Sequence, residues 1–183
     1  MLIRIGQRPD HGFDEPLGLL SDCHRRIEHF LHVLERIATR DNGGDLTPGG
    51  RADLTNAIAY FANAAPKHTA DEEESLFPRL RASDDARAQE ALAIIARLER
   101  DHARADAHHH VVDVIVRRWL AEGAIDAKAV TELCDRLAAL RSIYEEHIGI
   151  EDRDLFPAAG RVLSSSEIHE IGREMAARRR RQA

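Results

Sequence analysis

Cysteine is scarce in this chain of 183 residues, with only Cys23 and Cys134, far apart and without a C-x2-C pair. The expectation is two buried, reduced thiols. Long apolar runs are also missing, which excludes a membrane-spanning helix. The opening stretch MLIRIGQRPDHGFDEP lacks the apolar core of a secretion signal, so the chain reads as cytoplasmic. An excess of basic charge is missing too. The net charge is −6, against a general nucleic-acid binder. Runs of β-branched residues are few, whereas Ala, Leu, Arg and Glu recur, which favours helix.

What remains is a soluble composition, 43% hydrophobic and 32% charged, of a size suited to one domain over residues 1–183. Four long helices are expected. The first covers about 16–39 and is followed by the turn-rich loop DNGGDLTPGG at 41–50. The second covers about 51–80, with Pro66 as a kink. The third starts at Ser83 or Asp84 as N-cap and runs to about 121. The fourth runs from 126 to about 155 and is stopped by Pro157. The fold class is all-α, an up-down-up-down four-helix bundle over about 16–157. A short C-terminal helix follows at about 164–181. Ser164 and Glu167 have the spacing of a capping box, and the terminal arginines read as a solvated helix end.

Eleven histidines are many for this length, and their placement carries the argument. Residues 68–78 read HTADEEESLFP and residues 147–157 read HIGIEDRDLFP; both fit H-x3-E-x3-L-F-P. Upstream, HRRIEHFLH at 24–32 and HARADAHHH at 102–110 both fit H-x3-[E/D]-x3-H. The second half follows the first at nearly constant interval, so two helix pairs of similar construction succeed one another. The repeat also filters: His11, His29, His108 and His109 have no counterpart in the other half.

Residues four apart share one helix face. His24 with Glu28, His68 with Glu72, His102 with Asp106, and His147 with Glu151 can therefore converge in a bundle core. Buried charges demand a partner, and a pair of divalent cations supplies one. Glu28 and Asp106 stand as ligands, as acceptors that orient a histidine, or as solvated residues. His32 and His110, one turn further, read as lining residues. Phe77 and Phe156 read as packing at the bundle end. Trp119 and Tyr144 read mainly as packing, Tyr144 being three residues before His147.

His24, the two H-x3-E-x3-LFP copies and His102 together resemble the hemerythrin-like family, the HHE cation-binding domain. The resemblance covers nearly the whole chain. It implies a non-haem di-iron site, with His24, His68, His102 and His147 as terminal ligands and Glu72 and Glu151 bridging. Manganese or zinc are the alternative metals. The oxygen carriers of the family have H-x3-H on the third helix, where this chain has Asp106. A site richer in carboxylate favours more oxidised iron. The implied function is binding of, or reaction with, dioxygen, peroxide or nitric oxide. Iron storage, delivery or sensing without turnover is the alternative. No nucleic acid or membrane partner is expected, and homo-oligomerisation is left open.

Overall fold

The computed structural model describes residues 11–180. The leader reading of residues 1–10, and Arg181 at the end of the expected last helix, lie outside the described residues. Among the described residues every regular element is helical, and no helix is long and apolar enough to cross a membrane.

Helix α1 (Pro16–Asp41) opens with a proline, whose missing N–H costs nothing in a first turn. Asn42 ends it in the left-handed conformation. Helix α2 (Pro48–Asn63) starts at Thr47, whose hydroxyl accepts from Gly50 N at 3.0 Å. A break at Ala64 separates it from α3 (Ala65–Asp71), where the kink at Pro66 was expected. A π-helical turn, π1 (Glu72–Leu76), then leads into α4 (Phe77–Ala82).

Helix α5 (Ala86–Glu122) is capped by Asp85, which accepts from Arg87 N at 2.8 Å. Ser83 and Asp84 are therefore not its N-cap; the Ser83 hydroxyl instead accepts from Asp85 N. Gly123, with φ of +85°, closes α5 in a conformation that disfavours a side chain. Helix α6 (Ala127–Ile150) is capped by Asp126. It passes into a second π-helical turn, π2 (Glu151–Leu155), then α7 (Phe156–Val162) and α8 (Ser165–Arg180).

Pro157 does not stop the fourth helix. The chain stays helical to Val162 because π2 widens the turn just ahead of the proline. Phe156 N–H reaches back five residues to Glu151 O. That wider pattern removes the i−4 carbonyl clash that normally breaks a helix at proline. Pro78 follows π1 in the same way, with Phe77 N–H bonded to Glu72 O.

Helix α1 packs on α2 and α6, and α5 packs on α6 and α2, closing a helical bundle. Its core has two parts. One apolar cluster gathers Leu34, Ile37, Leu54, Val116 and Trp119. The other gathers Leu20, Phe77, Leu80, Leu98 and Phe156 and takes in Ile171 and Met175 of α8. The first turns of α5 pack against α4 and α7. His102 therefore lies deep in its helix because the bundle continues past both π turns.

Candidate metal centre

Between the two apolar clusters lies a polar layer. His24, His68, Glu72, His147 and Glu151 are buried there, and His102 is nearly so. Two groups form. His24, His68, Glu72 and Glu151 each bring one donor atom within 4.8 Å of the others, and so do Glu72, His102, His147 and Glu151. The two glutamates belong to both groups.

The contacts are those of a ligand shell. His68 Nε2 and His102 Nε2 each lie 3.3 Å from a different oxygen of Glu72. His24 Nε2 and His147 Nε2 lie 3.1 and 3.2 Å from Glu151 Oε2. His102 Nε2 and His147 Nε2 face each other at 3.1 Å. Adjacent ligands of one divalent ion, each about 2 Å from it, stand about 3 Å apart. All four oxygens of Glu72 and Glu151 are buried without a hydrogen-bond donor. Such orphans are costly in a dry interior, and cations remove the cost. The donor set therefore fits a metal pair.

The electrostatics of the protein alone point the same way. Burial, reinforced by the charge of Glu151, pushes Glu72 well above the usual carboxylate range. Burial opposes ionisation of Glu151 as well, but His147 and His24 outweigh it and hold this carboxyl low. Burial likewise opposes a charge on His24, yet Asp152 and Glu151 overcome it and raise its pKa to about 10. His68, buried and beside His24, is pushed well below the ordinary value. Without metal the layer thus favours an ionised Glu151 beside a protonated His24.

Sequence reasoning missed the residues that hold the histidines. Asp152 Oδ1 lies 3.1 Å from His24 Nδ1 and accepts from Ser21 Oγ at 2.7 Å. Glu73 Oε1 lies 2.7 Å from His102 Nδ1. Each acid directly follows a shared glutamate, and each serves a histidine of the other half. The signal was present in the pairs Glu72-Glu73 and Glu151-Asp152. Phe156 stacks on His24 with centroids 5.5 Å apart, and Phe77 on His102 at 6.4 Å. The two phenylalanines are thus buried packing, as read, and also flank the site.

Glu28 and Asp106 are exposed and belong to neither group. On their helices the inward positions are taken by Ile27 and Leu31 and by Ala105. Asp106 instead lines a cavity of 480 Å³ that reaches all four site histidines. His32 and His110 are exposed. Trp119 is buried far along α5 and donates to Gly44 O at 2.9 Å. His11 meets Asp22, with Nδ1 to Oδ2 at 3.1 Å.

The hemerythrin HHE cation binding domain family matches residues 15–159. The chain belongs to this family. The matched HHE span takes in all six residues of the two groups, while α8 lies beyond it. The chain is also similar to an uncharacterized protein of Haemophilus influenzae, 27% identical over 169 residues that cover 91% of each chain.

Proposed function

We propose that this HHE protein holds a pair of iron ions in its core and binds, or reacts with, dioxygen, peroxide or nitric oxide there. The sharing of Glu72 and Glu151 between two ligand groups carries this reading. His24 and His68 would hold one ion and His102 and His147 the other, with Glu72 and Glu151 shared between them. When bound, the pair supplies electrons and an open coordination position for a small ligand. Manganese and zinc accept the same donors, and a set of four histidines with two glutamates suits iron among redox metals.

The chain's own residues do the rest. Asp152 and Glu73 fix the rings of His24 and His102, so their Nε2 atoms face inward. The cavity admits a ligand of a few atoms between walls that include Ile27, Phe61 and Ile148. In this reading the four long helical segments alternate up and down around the site. The chain is one cytoplasmic domain, and α8 closes its end.

Metal analysis of protein grown with iron, with visible spectra before and after peroxide, tests the proposal. About two irons per chain and a peroxide-sensitive band are expected. Repeated turnover of peroxide or dioxygen per site assigns catalysis; stoichiometric consumption assigns storage, delivery or sensing. Zinc alone, or no metal, overturns the reading.

A further inference from the structure

Two polar side chains of the cavity wall that the proposed metal chemistry does not use meet each other there. Tyr144 lies on α6 one turn before His147, and His109 lies on α5 two turns after His102. Tyr144 Oη and His109 Nε2 are 2.8 Å apart. Both side chains line the cavity that reaches His24, His68, His102 and His147. The His109 ring is fixed further by Phe61, with centroids 4.3 Å apart. His109 and Phe61 also line a second cavity, of 570 Å³, so they form part of the wall between the two. Burial pushes the Tyr144 phenol up and the His109 imidazole down to about 4, so both stay neutral. A neutral imidazole has one N–H to give, and a phenol both gives and accepts.

We propose that Tyr144 is the hydrogen-bond donor that positions a small ligand in this cavity, and that His109 is the positioning residue that orients it. His109 Nε2–H donates to Tyr144 Oη, which leaves the phenolic O–H directed at the ligand. The ligand class is compact and acceptor-bearing, two or three atoms long, with peroxide or azide as examples. This inference rests on the metal reading above, because the ligand's other end is held by the metal pair.

Azide binding to the ferric protein provides the test. Tyr144→Phe removes only the hydroxyl and is expected to weaken azide about tenfold, the value of one hydrogen bond to a charged group. Iron content should stay at the wild-type level. The stretching band of bound azide should move between H2O and D2O in the wild type and stay fixed in Tyr144→Phe. His109→Gln, which keeps an N–H donor, should retain the band shift, and His109→Leu should lose it. Equal azide affinity and an equal band shift in Tyr144→Phe carrying its full iron would overturn the proposal and leave the metal reading intact. An unchanged shift in His109→Leu overturns the orienting role. A wild-type protein that takes up no metal overturns both.

Discussion

His24 and His102 show what a second contact does for a ligand. An imidazole has two nitrogens, and a carboxylate at one fixes which way the other faces. Asp152→Ala should therefore weaken the ion at His24 and His68, and Glu73→Ala the ion at His102 and His147. Each loss should be about ten- to a hundredfold, read by competition with a chelator. The same residues set the pH dependence. His24 has a folded pKa of about 10 against an ordinary 6.5. Its stabilisation of the metal-free protein is full below the ordinary value and is lost as pH rises towards 10. Glu72, held above its ordinary value, opposes folding increasingly as pH rises through the carboxylate range. The unfolding temperature of metal-free protein should thus fall between pH 6.5 and 10. Metal affinity should rise over the same interval, because binding expels the protons on Glu72 and His24. A calorimetric pH series with and without metal checks both signs.

Among the elements, π1 and α8 belong together. Asp71 is fully buried just before Glu72, and Arg178 and Arg179 of α8 reach it at 2.9 and 2.7 Å. Arg178 also donates to Ser75 Oγ at 2.7 Å, inside π1. The terminal arginines are therefore partners of the bundle, where a solvated helix end was expected. A segment distant in sequence covers Asp71, and a helix end read locally carries no sign of that. Arg178→Ala with Arg179→Ala leaves Asp71 buried and unpaired, a loss of about 3 kcal/mol in urea unfolding. Asp71→Asn added to that double variant should recover part of it. Gly172 has a separate role: a Cβ there would lie 1.8 Å from the Phe13 carbonyl oxygen. Gly172→Ala should lower the unfolding temperature, because backbone must move to admit the methyl.

Across the molecule, the polar layer joins both halves of the repeat, so bound metal ties distant segments of the chain together. Because apolar clusters lie on both sides, the bundle has a core of its own. Chelated protein should keep its helical circular dichroism at 25 °C and unfold at a lower temperature. Restoring metal to 100 times its dissociation constant should add about 2.7 kcal/mol, a rise of roughly 5–10 °C for a chain this long. Loss of the helical signal on chelation would show that the two clusters do not suffice.

Helix content, the two-part repeat and the six residues of the polar layer are legible in the chain alone, because i,i+4 spacing and repetition are local properties. His68 with Glu72 and His147 with Glu151 stand out through the shared LFP context. Identical spacing left Glu28 and Asp106 open between ligand, acceptor and solvated residue, and neither enters the two groups. Which flank of a helix faces inward depends on its neighbours, and Ile27, Leu31 and Ala105 occupy the inward positions there. The pairing of Asp152 with His24 and Glu73 with His102, the Tyr144–His109 contact and the anchoring of α8 on Asp71 all join residues on different helices. Such contacts arise from packing between segments far apart in the chain, and no period along one helix encodes them.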